Sequence, residues 1–137
     1  MVIVDASVAI KWVITEPYSD SAALLVGQDL AAPELWLAEV ANALWVRQAR
    51  GLLTVEEARL CLRELLAAPV EALPMADLVP VALDAAVALR HPAYDCCYLA
   101  AAKVHGCTLV TADGRLARRV ARHREFAPRV RLLWDLS

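Results

Sequence analysis

Four acidic residues, Asp5, Glu39, Asp95 and Asp113, each interrupt an apolar stretch of the chain. Asp5 follows Val2-Ile3-Val4, Glu39 sits within Leu35-Trp36-Leu37-Ala38-Glu39-Val40-Ala41, Asp95 precedes Cys96-Cys97-Tyr98-Leu99-Ala100-Ala101-Ala102, and Asp113 follows Leu109-Val110-Thr111-Ala112. Carboxylates among apolar side chains are costly, so such groups are paired, neutralised or bound to metal. Gathered to ~5 Å, two carboxylates repel by about 3 kcal/mol at an effective dielectric of ~20, and four close groups make six such pairs. Protonation or a divalent cation must relieve that repulsion, and an all-oxygen donor set without His or Cys suits Mg²⁺ or Mn²⁺.

A Mg²⁺ ion held by a few carboxylates keeps open positions that phosphate oxygens can take, so the implied chemistry is hydrolysis of a phosphate ester by a metal-activated water. No side-chain nucleophile is then needed, in keeping with the lack of a G-x-S-x-G elbow, a Walker loop or a G-x-G-x-x-G turn in this sequence. Three of the acids, taken singly, also have plainer uses. Asp5 and Asp113 are placed to cap helices, and Asp95, three residues after Pro92, complements a helix dipole. Glu39 resists that account, because Asn42 at i+3 is the only polar residue near it on its own helix face.

The elements that must position these acids follow from hydrophobic periodicity and local stop signals. Strands are expected at Val2 to Val4, Leu30 to Ala32, Val70 to Pro74, Thr108 to Thr111 and Val130 to Trp134. Helices are expected at Ala6 to Val13, Ser19 to Val26, Leu35 to Arg50, Thr54 to Ala67, Asp77 to Leu89, Ala93 to His105 and Gly114 to Arg122. Gly51 and Gly106 end two of them, and Thr54-Val55-Glu56-Glu57 is a capping box. Short strands alternating with helices imply right-handed crossovers and an α/β/α sandwich with a short-stranded, mainly parallel central sheet. Ligands bind such sheets beyond the carboxyl ends of the strands, where Asp5 and Asp113 both fall. Glu39 and Asp95, near the starts of their helices, can join them there.

The 137 residues are expected to form a single domain over 1–137, without internal repeat or linker. Hydrophobic residues make up 60% of the chain and mean hydropathy is +0.48, more than an ordinary soluble domain carries, so part of the surface is expected to meet another protein. No apolar run reaches the ~18 residues of a membrane span, and no basic segment with a cleavage site opens the chain, so a cytoplasmic location is the default expectation. Cys61, Cys96, Cys97 and Cys107 lack C-x-x-C spacing and read as small buried hydrophobes.

Taken in order, Val2-Ile3-Val4-Asp5-Ala6-Ser7-Val8-Ala9, Glu39-Val40-Ala41-Asn42-Ala43-Leu44, Tyr94-Asp95-Cys96-Cys97-Tyr98-Leu99-Ala100 and Leu109-Val110-Thr111-Ala112-Asp113 resemble the PIN-domain ribonucleases, and most closely the VapC toxins of toxin-antitoxin pairs. Each motif alone is weak; four in register along essentially the whole chain are strong. The resemblance implies a PIN-like fold and a Mg²⁺- or Mn²⁺-dependent endoribonuclease acting on RNA. It also implies a homodimer inhibited by a VapB-type antitoxin lying across or near the active site. By motif position Asp5, Glu39, Asp95 and Asp113 form the acidic metal-binding set, Asp5 and Asp95 being the direct ligands, while Ser7 and Thr111 are hydroxyls beside the first and fourth acids. Asn42 becomes a substrate or outer contact.

Arg115, Arg118, Arg119 and Arg122 recur at helical spacing behind Asp113, with Leu116 and Val120 on the other side, and are expected to meet RNA phosphates or an antitoxin carboxylate. Trp36 and Trp45 share the helix of Glu39, so the apolar Leu35 to Val46 segment is expected to supply part of an antitoxin groove or dimer surface. Two competing phosphate chemistries fit less well. A haloacid-dehalogenase-type phosphatase needs a second aspartate where Ser7 stands, and a receiver domain needs adjacent acids after the first strand. A catalytically silent RNA- or protein-binding module would not need acids at all four positions.

Overall fold

Apolar side chains alternate between two faces along the first and fourth strands of the chain, and each face has its own core. Ile3 and Leu109 belong to one buried cluster, while their neighbours Val4 and Val110 belong to the other. That alternation requires helices on both sides of the sheet. The computed structural model describes residues 1–136 and meets the requirement.

Five strands, β1 (Val2–Val4), β2 (Leu30–Pro33), β3 (Val70–Leu73), β4 (Thr108–Thr111) and β5 (Val130–Leu132), form one sheet in the order β3-β2-β1-β4-β5. All four pairings are parallel. The helices are α1 (Ala6–Ala9), α2 (Ser19–Ala23), α3 (Leu35–Ala49), α4 (Val55–Leu66), α5 (Val79–Leu89), α6 (Ala93–His105) and α7 (Gly114–Ala121). The larger core draws on α3 through α7, and the smaller one lies beneath α1, α2 and the C-terminal Leu133.

Helix α6 organises the larger core. Seven consecutive residues from Cys96 to Ala102 are buried, a pattern that a helix tolerates only when enclosed on every side. It rests on β1, β2 and β4 and is covered by α5. Gly106 ends it at φ 62°, letting the Cys107 amide donate to the Ala102 carbonyl at 2.9 Å and turning the chain into β4. The capping box at Thr54 forms in both directions, Thr54 to the Glu57 amide and Glu57 to the Thr54 amide.

Four elements differ from the sequence expectation. The helix expected over Ser19 to Val26 ends at Ala23. The run Ala6 to Val13 is α-helical only to Ala9 and tightens into a 3-10 turn over Ile10–Trp12, where β-branched residues crowd the chain. The helix expected from Asp77 begins as a 3-10 turn over Met75–Asp77 and becomes α at Val79, with Pro80 in the first turn. The last strand stops at Leu132 and gives way to a 3-10 turn over Leu133–Asp135, because its neighbour β4 ends at the paired Thr111 and offers no further partner. Among the described residues no helix is long and apolar enough to cross a membrane, and all four cysteines are free.

Leu99 is fully buried at the centre of α6. Leu99→Ala is expected to lower unfolding free energy by about 2–5 kcal/mol, read as a lower urea midpoint with an unchanged denaturant slope.

Candidate active site

In strand order β3-β2-β1-β4-β5 the chain leaves β1 toward one side and returns at β4 on the other, so the crevice between their carboxyl ends is the switch point of the sheet. Val4 pairs with Val110, which sets Asp5 beside Thr111 one residue further on. The Asp5 carboxylate is buried, 7% exposed, and caps α1 by accepting from the Val8 amide at 3.2 Å. Ser7 donates to its Oδ1 and Thr111 to its Oδ2, each at 2.5 Å. Both hydroxyls also accept a backbone amide, Ser7 from Ala112 and Thr111 from Asp113, each at 3.0 Å. Those amides steer the hydroxyl protons toward Asp5 and fix its rotamer. A carboxylate offers about four acceptor positions, so three donors leave Asp5 with about one.

Of the other acids, Glu39 is held by a distant partner, Asp95 and Asp113 by near ones. Tyr98 on α6 donates to Glu39 Oε1 on α3 at 2.5 Å. His91, itself 8% exposed, places Nε2 2.7 Å from Asp95 Oδ2. Arg90 just before it adopts a left-handed φ of 52°, which turns the chain from α5 back toward Asp95. Asp113 is an N-cap, its Oδ1 accepting from the Arg115 and Leu116 amides at 3.0 and 3.1 Å. Among the described residues Glu39 Oε2, Asp95 Oδ1 and Asp113 Oδ2 accept no hydrogen bond. Glu39 and Asn42 form a shared wall between two clefts, one reaching Ser7 and the other Asp95.

Electrostatics bind the group into one site. Burial pushes the Asp5 carboxyl up to about 6, against the pull of Ser7, Thr111 and Val8, and the charge of Asp113 adds to the rise. Burial also raises Glu39; its Tyr98 hydrogen bond opposes the shift, while the charges of Asp95 and Asp5 reinforce it. Tyr98 is itself raised, by burial and then by Glu39, so it stays a proton donor. Each acid thus feels another across the crevice, although among the described residues no three acidic, histidine or cysteine groups stand close enough to cage an ion. The donor set fits a hard divalent cation: it is oxygen-only and has free acceptor positions, and burial and neighbouring charge destabilise the anions of Asp5 and Glu39.

Residues 2–122 match the PIN domain family. The chain belongs to the PIN-domain family. Among its relatives are Ribonuclease VapC3 of Pyrobaculum aerophilum, 38% identical over 122 residues covering 85% of this chain and 92% of that protein, and Ribonuclease VapC12 of Mycobacterium tuberculosis, 30% identical over 119 residues covering 86% and 91%. The crystal structure of PAE2754 from Pyrobaculum aerophilum shares the fold, with a TM-score of 0.73 at 25% identity over 98% of this chain and 85% of that one. The chain is therefore a PIN domain similar to VapC ribonucleases, as the four motifs imply.

Other expected contacts divide. Arg115 and Arg118 are exposed on α7, whereas Arg119 donates to the carbonyls of Leu89 and Arg90 at 3.2 and 2.7 Å and so ties this PIN domain's α7 to the end of α5. Arg122 is the C-cap of α7. Trp36 is buried at 2% exposure, while Trp45 is 62% exposed and faces an apolar groove against Val55, Ala58 and Leu62 of α4. Sequence reasoning missed Tyr98 and His91. Their signal lay in spacing, since Tyr98 follows Asp95 by three residues and His91 precedes it by four.

Asp5 holds its proton more tightly in the folded chain than its ordinary value of 3.8 allows. The stability it contributes is therefore full below that value and lost as pH rises through about 6. In chelator, Asp5→Asn is expected to raise stability at pH 8 by up to about 3 kcal/mol and to flatten the loss between pH 4 and pH 7, measured by urea unfolding.

Proposed function

We propose that this PIN domain is a Mg²⁺- or Mn²⁺-dependent endoribonuclease of VapC type, the toxin of a toxin-antitoxin pair, cleaving single-stranded or loop regions of RNA. The carrying observation is the buried Asp5 at the switch point, braced by Ser7 and Thr111 and electrostatically coupled to Glu39 and Asp113, with Asp95 acting on Glu39. The names of the relatives support the same reading.

Asp5, Glu39 and Asp95 would hold the cation, and Asp113 would add charge from the α7 cap. A bound divalent cation supplies Lewis acidity, lowering the pKa of an attacking water and neutralising phosphate charge. The protein's own part is orientation. Ser7 and Thr111 lock Asp5, Tyr98 holds one oxygen of Glu39, and His91 holds one oxygen of Asp95, so the remaining oxygens face the crevice. Asn42 lines both clefts and is placed to meet the RNA backbone. Arg115 and Arg118 extend a positive surface beyond Asp113. Ser7 in place of a second aspartate disfavours phosphoaspartate chemistry.

The exposed groove of Trp45, Val55 and Leu62 is our choice for contact with a VapB-type antitoxin or, in a homodimer, a second copy. The purified chain is expected to cut single-stranded RNA with Mg²⁺ or Mn²⁺ and to stop in excess chelator; full activity in chelator would overturn the metal-dependent reading. Asp5→Asn and Asp95→Asn are expected to abolish cleavage while the circular dichroism spectrum is retained. Thr111→Val, which removes one brace of Asp5, is expected to lower kcat by about 10–100-fold.

A further inference from the structure

The cleft that begins at Ser7 and Glu39 ends on a group of charges that neither the acidic site nor the fold's capping explains. Arg47 of α3 grips Glu16 with Nε to Oε2 at 3.2 Å and Nη2 to Oε1 and Oε2 at 3.1 and 2.9 Å, and its Nη1 donates to the Ala43 carbonyl at 3.0 Å. Lys11 reaches the same carboxylate, with Nζ 3.3 Å from Glu16 Oε1. Two cations thus share one anion, which leaves the trio with one unit of positive charge in excess. The sharing is unequal: the guanidinium takes both oxygens in a bidentate grip, while the ammonium makes one long contact.

Among the described residues Glu16 is the only hydrogen-bond partner of the Lys11 ammonium, a group with three donors. Its side chain is 12% exposed, so the other two donors are confined to the cleft rather than left to roam in solvent. Lys11 follows Ser7 by four residues, across the α1 and 3-10 segment, and so lies on the same side of the chain as the hydroxyl that braces Asp5. The opposite wall is α3, which presents Glu39, Asn42 and Arg47 in turn. The cleft is therefore polarised along its length, acidic at the sheet and cationic at the far end.

An anionic chain is the ligand that such a polarity suits. A phosphodiester drawn into the acidic end through a cation would place a neighbouring phosphate toward the cationic end, where a preset, partly desolvated ammonium costs little to order. We propose that Lys11 is an RNA-phosphate contact, held at the mouth of the reaction crevice by the Glu16–Arg47 clamp and positioning the strand one phosphate away from the bond that is cut. This rests on the ribonuclease reading for the identity of the strand.

The test uses the full chain, an oligouridylate labelled with fluorescein, and a series of salt concentrations. Lys11→Met is expected to raise KM about tenfold while kcat changes less than twofold, and to reduce the slope of log(kcat/KM) against log salt by about 0.7, the loss of one phosphate contact on a single strand. Lys11→Arg should restore the slope. Lys11→Gln keeps a hydrogen bond to Glu16 without the charge, and serves where the methionine variant is too unstable to assay. An unchanged slope in the methionine or glutamine variant, or a loss confined to kcat, overturns the assignment, since a purely structural role for Lys11 leaves the count of neutralised phosphates untouched. Should the wild-type chain cut no RNA, the same slopes read from fluorescence anisotropy of the uncut oligouridylate judge the contact separately from the nuclease reading.

Discussion

The burial of the Asp5 carboxylate between the ends of β1 and β4 is the constraint around which this PIN domain is built. A carboxylate in that position is tolerated because three donors converge on it, two of them hydroxyls oriented by backbone amides of the Ala112–Asp113 turn. The same hydrogen bonds stitch β1, α1 and the exit of β4 together. Local backbone geometry and the acidic site therefore depend on each other: moving Thr111 or Ser7 would release the carboxylate and loosen the turn that starts α7.

Helix α6 extends that constraint through the molecule. Because its middle, Cys96 to Ala102, is buried on every side, its rotation about its own axis is set by packing against the sheet and α5, not by solvent preference. Asp95 and Tyr98 are thereby aimed from one helix into the crevice, and Tyr98 reaches across to Glu39 on α3. His91 reaches Asp95 from the left-handed turn that ends α5. Each proposed ligand has a hydrogen-bond partner on another segment, and among the described residues none is paired with a lysine or an arginine. A salt bridge at any of these acids would stabilise the fold and occupy the oxygens that an incoming cation needs.

The cations are kept to the margins. Arg47 and Lys11 are joined to Glu16 at the end of the cleft, and Arg119 is committed to carbonyls of Leu89 and Arg90. Burial, with a smaller part from the charge of Asp113, raises the Asp5 carboxyl, and the positive charge at the margins remains free to meet a polyanion. Stability is given up at the site itself and recovered in the apolar packing of α6.

Much of this was legible in the chain. Short β-branched runs marked β1 and β4, Gly106 marked the end of α6, and the Thr54 capping box formed as read. These features are local, since period, cap and stop signals act over a few residues. The partners were not legible. Tyr98 meets Glu39 across 59 positions, Arg47 meets Glu16 across 31, and Arg119 is captured by carbonyls 29 and 30 residues away. Nor does periodicity tell that β5 stops when β4 runs out of partners, or that Asp113 both caps α7 and faces Asp5. Sequence by itself singled out the acids that the proposed chemistry needs, because an acid in an apolar run is conspicuous by itself. The tertiary structure decided what each acid touches, because strand order and the orientation of a helix buried through its middle are settled only when the whole core packs.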